Sequence, residues 1–284
     1  MPAPKSCTVD DAVAGWIRHF WAADHSLKWE HSERELSTEL ATGVILAGRV
    51  DADGMTDIPP ASAFFGEWKS SNPRNKTGWR EKWRFSVQSL TYGLLMRENN
   101  HSMHRFTIRM AFKSDPPTFD HEWFEYSDAE LDMWRDEVLR IAGEISALQA
   151  TQLEHWPLNP TNCYRWGPNY PCERIGNCTK QKWADPGTNI VPRIPHLGIE
   201  QAHRDMADQI ADDQLILDAT RIDAYLSCPE SYRGQYVQNE VEPEGEALTF
   251  GKQFHTLLDA YYKLLIEAKL SMNKEHNYNG RTTE

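Results

Sequence analysis

Gly43-Val-Ile-Leu-Ala-Gly-Arg-Val-Asp51 and Ala63-Phe-Phe-Gly-Glu-Trp-Lys69 are the two runs on which the reading of this chain turns. Each is short, rich in aliphatic or aromatic residues and bounded by Gly, Pro or Asp, the pattern of a β-strand. Side chains two apart on a strand share a face, so Glu67 and Lys69 point the same way, about 6 to 7 Å apart along the strand. If the two strands are neighbours, Asp51 joins them on that face. Two carboxylates converging beside one lysine form a cage for a hard divalent cation with a fixed positive group next to it. Taken singly, Asp51 reads as a strand-end cap and Glu67 as an ordinary surface carboxylate; their joint occurrence with Lys69 points to a site. Asp53 and Asp57 are weaker substitutes for Asp51, because Asp53 shares its face only if the strand runs that far.

Working outward, residues 8 to 27 have helical spacing, with Ala12, Val13, Trp16, Ile17, Phe20 and Trp21 apolar, and residues 34 to 41 read as a strand. A helix is expected from about Gly78 to Arg97, with Trp79, Trp83, Val87, Leu90, Leu94 and Leu95 at helical spacing and Gln88 and Tyr92 on one face. Strands near His104 to Phe112 and His121 to Tyr126 are joined by a Pro116-Pro117 turn. Ser127-Asp-Ala-Glu130 is a capping box that opens a helix carrying Leu131, Trp134, Val138, Ile141, Ile145 and Leu148. The expected fold is α/β, a mixed central sheet flanked by helices.

Residues 156 to 196 lose this periodicity and carry seven of the prolines, from Pro157 to Pro195. Such a segment needs another means of holding its shape. Three of the five cysteines fall in it, Cys163, Cys172 and Cys178, and a fourth, Cys228, lies in Cys228-Pro-Glu-Ser-Tyr232. Clustered thiols in a chain without an export signal suggest a metal centre, zinc or iron-sulfur, rather than disulfides. Helical patterns are expected near Ile199 to Ala211 and through Lys269, and the polar end as a disordered tail. The organisation expected is a core over 1–155, a cysteine-rich loop segment over 156–196, a helical segment over 197–271 that packs on the core, and a tail over 272–284. His255 lies on the pattern Phe250, Phe254, Leu257, Leu258, Tyr261. A buried structural histidine is the plain reading of that pattern; Gly251, one turn earlier, is expected to let another backbone approach.

The net charge of -12 argues against a protein that coats nucleic acid through bulk positive charge, though not against a local basic groove. From Lys69 to Arg84 the chain carries Lys69, Arg74, Lys76, Arg80, Lys82 and Arg84 against Glu81 alone, with Trp79 and Trp83 interleaved. An isolated run of this kind is ordinarily a solvated surface. Immediately after the candidate cation site, it reads as a phosphate-contacting, DNA-binding surface. With no apolar run near 18 residues and no apolar leader after Met1, the expectation is a soluble, cytoplasmic protein with no membrane partner.

These motifs resemble the RecB-like branch of the PD-(D/E)xK nuclease superfamily, particularly its iron-sulfur members such as the AddB nuclease subunit and the CRISPR-adaptation exonucleases. Gly48-Arg-Val-Asp51 is similar to that family's Gly-x-x-Asp, Glu67-Trp-Lys69 to its Glu-x-Lys, and Gln88-Ser-Leu-Thr-Tyr92 to its Gln-x-x-x-Tyr. Cys228-Pro-Glu-Ser-Tyr232 resembles its Cys-Pro-x-x-Tyr element, and Gly251-Lys-Gln-Phe-His255 its Gly-x-x-x-His helix. The resemblance implies a restriction-endonuclease-like core. It implies catalytic roles for Asp51, Glu67, Lys69, Gln88 and Tyr92, with Mg2+ or Mn2+ held by His255, Asp51 and Glu67. It also implies a 4Fe-4S cluster on Cys163, Cys172, Cys178 and Cys228, for which zinc is the alternative. The implied partners are DNA and a helicase or recombination protein, and the implied process is recombination, repair or phage and CRISPR DNA processing.

Two features depart from the family. The gap between Cys163 and Cys172 is longer than usual, and the elements expected first, Cys228 and His255, come last. Moving residues from about 214 to 284 ahead of residue 1 restores the order, which suggests a circular permutation. A second, truncated nuclease domain or a gene joined out of phase are the alternatives. The function expected is a metal-dependent deoxyribonuclease that hydrolyses phosphodiester bonds, an exonuclease rather than an endonuclease; the competing one is a catalytically inactive nuclease-like DNA-binding or scaffold module, and a weaker third is a zinc protein whose carboxylates are incidental. The spatial discriminator is whether His255 lies beside Asp51 and Glu67.

Overall fold

The computed structural model describes residues 7–56, 62–99, 105–151, 156–163, 172, 191–192, 214–238, 240–241 and 246–279, with the backbone alone for 191–192, 240–241, 246–248 and 272–279. Cys178, Asp57 and the helix expected near 199–211 lie outside them. The chain forms two compact units, one of residues 1–37, 48–131 and 245–284, the other of residues 38–47 and 132–244.

In the first unit, helix α1 (Val9–Ser26) begins at Thr8, whose side chain accepts the Asp11 N–H, with Asp10 and Asp11 at the positive end of the helix. Strands β1 (Lys28–Ala41), β2 (Val44–Thr56), β3 (Ser62–Ser71), β4 (Arg105–Phe112) and β5 (Thr118–Glu125) lie in that order in one sheet, the end of β1 from Thr38 and the start of β2 to Ala47 being counted with the second unit. β2 runs antiparallel to β3, β3 parallel to β4, and β4 antiparallel to β5, so the sheet is mixed, as the sequence led us to expect. A parallel pair requires a crossover. It is made by α2 (Trp79–Arg84) and α3 (Val87–Glu98).

Two expectations need correction here. β1 starts at Lys28, not residue 34, because its first half alternates polar residues with few apolar ones and shows no sequence period. The single helix expected over 78–97 is broken at Phe85 and Ser86: Ser86 is extended and caps α3 by accepting the Ser89 N–H, a bond that competes with continuing α2.

Alternation along β3 sorts its side chains onto two faces. Phe64 and Trp68 join Trp16, Phe20 and Trp29 with Phe254, Leu258 and Tyr262 of the long helix α8 (Glu246–Asn279) in one buried core. Phe65 lies on the opposite face, stacked on Phe106 at 5.1 Å and edge-on to Tyr92 of α3. A buried hub ties α1, β4 and α8 together: Arg109 pairs with Asp24, donates to Tyr262 Oη at 2.8 Å and lies over the rings of Phe20, Trp29 and Trp68. Burial alone would push the Asp24 carboxyl up and Arg109 offsets only part of this, so the charge is tolerable only with its partners in place. Helix α4 (Asp128–Ala150) opens with the expected capping box, Ser127 N–H bonding Glu130 Oε2 at 2.8 Å and Glu130 N–H bonding Ser127 Oγ at 3.3 Å. No helix among the described residues is long and apolar enough to cross a membrane.

In the second unit, α5 (Pro160–Cys163), β6 (Val191–Pro192), β7 (Leu215–Leu217), α6 (Ala219–Ser227), α7 (Pro229–Tyr232) and β8 (Glu240–Val241) follow α4. β7 pairs in parallel with Val44–Leu46, which belong to this unit. Tyr232 is buried against Trp156, Tyr225 and Tyr236.

Candidate metal centre

The antiparallel register of β2 and β3 pairs Ala52 with Gly66, so one step further Asp51 faces Glu67 across the two strands. Asp51 Oδ2 accepts the Trp68 N–H at 2.6 Å, which fixes the carboxylate and leaves Oδ1 directed to His255 Nδ1, 3.4 Å away. Three donor atoms, one each from Glu33, Asp51 and His255, lie within 4.8 Å of one another, close enough to share one cation. Glu67 stands beside them in a different state. Its Oε2 accepts from Lys69 Nζ at 2.7 Å and from Gln88 Nε2 at 2.9 Å, while its Oε1 is buried with no hydrogen-bond partner among the described residues. A buried carboxylate oxygen without a donor carries the full desolvation cost of the group, and a cation at that oxygen would remove it.

The electrostatics follow from this crowding. Burial and the nearby charge of Asp51 push Glu67 up to about 8, against the opposing pull of Lys69. Burial and Asp51 likewise push Glu33 up to about 7, with Arg49, 2.7 Å away, acting in the other direction. Asp51 itself is held low: burial opposes this, but His255 and Lys69 together outweigh burial. For Lys69 and His255 burial favours the neutral form, yet the carboxylates around them win, and both are raised. Carboxyls held protonated near neutral pH beside an ionised one mark a site with more negative charge than its own cations balance.

Glu33 was not among the residues singled out in the sequence. It sits among Glu30 and Glu35 in a polar stretch, where nothing distinguishes it from a solvated acid. What sets it apart is its backbone, at a φ of +53°, a left-handed conformation that costs a non-glycine residue about 1 kcal/mol or more and turns the side chain out of the strand's alternation.

The other sequence candidates are placed as follows. β2 does continue past Asp53, but that buried carboxylate is taken by His31 at 2.7 Å and Arg34 at 2.6 Å, so it offers no vacant oxygen pair. Gln88 braces Glu67 and also reaches Tyr92 Oη at 3.3 Å. The Tyr92 ring fills the space at Gly48, where a Cβ would come within 2.8 Å of it. That explains Gly48; the expectation for Gly251 is corrected, since a Cβ there meets nothing within 4 Å among the described residues. His255 is partly exposed rather than buried, and Leu257, expected on the apolar face, is exposed; Phe254 and Leu258 are buried as expected, and Tyr262 joins them. Within the basic run, Arg80 is bonded to Asp120 and Glu122 and Arg84 to Glu130, while Arg74, Lys76 and Lys82 are exposed.

In the second unit, the Cys172 N–H donates to the Cys163 carbonyl at 2.7 Å. Burial, and then the neighbouring Cys228 thiol, push the Cys163 thiol up. The Asn159 and Asn162 side chains donate to the Ser227 carbonyl, next to Cys228, so three of the four expected cysteines share one neighbourhood.

No family model matches this chain, and no curated protein matches it. Among solved structures it is similar to an exonuclease candidate from Eubacterium rectale, with 16% identity and a TM-score of 0.37 over 51% of this chain and 54% of that one. It is also similar to the protein SSO0001, with 12% identity and a TM-score of 0.28 over 46% of this chain and 58% of that one. The chain thus spans about half the length of the solved structures it matches. At this degree of likeness the functional reading rests on the site itself.

Proposed function

We propose that the chain is a metal-dependent deoxyribonuclease whose centre is built from Glu33, Asp51, Glu67, Lys69 and His255. The observation that carries this reading is the buried, unpartnered Oε1 of Glu67 beside a group of three further ligand atoms. Carboxylate oxygens with one imidazole suit a hard or borderline divalent ion, and the nitrogen favours Mn2+ over Mg2+. Glu33, Asp51 and His255 would hold the ion with Glu67 Oε1 at its side; such an ion polarises a scissile phosphate and lowers the pKa of an attacking water.

The remaining work falls to the chain. Lys69, held by Glu67 and kept charged by the surrounding acids, orients the attacking water or offsets negative charge growing on the phosphate. Gln88 donates to the same Glu67 oxygen as Lys69, so that the carboxylate does not rotate away from the centre. Cys163, Cys172, Cys178 and Cys228 would hold a thiolate centre, iron-sulfur or zinc, with a structural rather than catalytic role; broad visible absorption would distinguish iron-sulfur. DNA is the substrate, within recombination, repair or foreign-DNA processing.

The test is a metal-dependent assay on end-labelled linear and circular DNA. Glu67→Ala and Lys69→Ala are each expected to lower the cleavage rate by roughly 10²-fold or more while the fold persists. Cleavage at the parent rate by both variants would remove these residues from the reaction.

A further inference from the structure

Phe85 is an aromatic side chain that the fold leaves uncovered next to this site, with 66% of the residue exposed. Single exposed apolar residues are ordinary on protein surfaces. This one differs in how it is held and in what surrounds it.

Its backbone N–H bonds the carbonyls of Glu81 and Trp83 at the end of α2. The Arg84 carbonyl before it accepts from Tyr126 Oη, and Ser86 after it caps α3. The ring is therefore displayed from a backbone tied on both sides, not carried on a loose loop. Three residues on is Gln88, which grips Glu67, so the chain allows no more than about 11 Å between the two Cα atoms. Two residues earlier is Trp83, whose ring centroid lies 5.4 Å from Lys69 Nζ. The Arg84 guanidinium, paired with Glu130, sits 5.6 Å from the Phe85 ring centroid, and on the same short helix Lys82 is exposed, whereas Arg80 is held by Asp120 and Glu122. An exposed ring among cationic side chains, at the edge of a site that handles a phosphate, matches how single-stranded nucleic acid is gripped: charge tracks the backbone and an aromatic face takes a base.

We propose that Phe85 stacks on an unpaired nucleobase of the strand whose phosphate enters the metal centre, and that single-stranded DNA or a frayed end is accordingly the favoured substrate. This rests on the nuclease reading and adds to it the form of DNA that is bound. A paired base presents its face only to its stacked neighbours, so a duplex would have to open before Phe85 could engage it.

The test is equilibrium binding by the full chain in Ca2+ buffer, read by fluorescence anisotropy with three labelled probes: an oligothymidylate, an abasic strand of equal length and a blunt duplex. Phe85→Ala, a surface change, is expected to weaken oligothymidylate binding by roughly ten-fold or more, as loss of one base–aromatic stack implies. It is expected to leave the abasic strand unaffected, and Phe85→Trp should restore parent affinity. Unchanged oligothymidylate affinity in Phe85→Ala, an equal loss on base-bearing and abasic strands, tighter binding of the duplex than of the single strand, or no DNA binding by the parent chain each overturns the proposal. Because binding is read without turnover, a chain that binds through Phe85 but never cuts would sink the nuclease assignment and leave the stacking role intact. A chain that cuts normally with unchanged binding in Phe85→Ala would do the reverse.

Discussion

At the residue scale, Glu33 combines an unfavourable backbone with a ligand atom close to Asp51 and His255. Glu33→Gly separates the two roles. Glycine adopts the left-handed conformation freely, which recovers about 1 kcal/mol, and its greater freedom in the unfolded chain offsets a similar amount. Thermal stability is expected to stay within a few degrees, while Mn2+ affinity, measured by calorimetry, falls at least ten-fold; unaltered affinity would exclude Glu33 from the centre. The pH dependence has a definite sign. Glu33, pushed up to about 7, and Glu67, pushed up to about 8, still carry protons near neutrality. A cation must displace those protons, so Mn2+ is expected to bind more tightly as pH rises from about 6 to 8.5, with protons released into the buffer. A flat profile would show that neither carboxyl contacts the ion.

At the scale of elements, the position of His255 is set by where α8 is anchored. Tyr262, two turns along the helix from His255, accepts from Arg109 and Trp16 and reaches Asp24. Tyr262→Phe keeps the ring and strips these bonds, leaving buried polar partners short; a loss of about 1 to 3 kcal/mol in chemical denaturation is expected. Asp24→Ala strands the Arg109 charge in the core and is expected to cost more, about 3 to 5 kcal/mol. If Tyr262→Phe left both stability and metal affinity untouched, the hub would not be what registers α8 against β2. Gly48→Ala acts from the other side of the sheet, since the added Cβ meets the Tyr92 ring at 2.8 Å. It is expected to shift Tyr92 and Gln88 and to slow cleavage without removing a ligand.

At the scale of the whole molecule, a net charge of -12 leaves little long-range attraction for DNA. Arg80 and Arg84 already have acidic partners, so Arg74, Lys76 and Lys82 are the cations of the run still exposed for phosphates. Three contacts to a single strand imply a slope of about -2 in log affinity against log salt. A slope steeper than about -5 would reveal a larger basic surface elsewhere.

Local pattern alone was enough for the α/β class, for β2 and β3 and for the capping box at Ser127, because strand alternation, helical spacing and caps are set by neighbours in the chain. The motif residues Asp51, Glu67, Lys69 and Gln88 could be read in the same way, since one strand pair and the helix after it bring them together. The break at Phe85 and Ser86 was hidden, because apolar spacing continues across it and masks the Ser86 cap that opens α3. So was Glu33, whose significance lies in a left-handed turn and in the approach of two residues distant in sequence. The resemblance implied His255 as a partner of Asp51, but the contact itself is made by the tertiary structure, through a buried charge cluster that ties α8 to α1 and β4 and whose members are scattered from Asp24 to Tyr262. Contacts of that sequence separation leave no period to read, and they exist only once the core has closed around them.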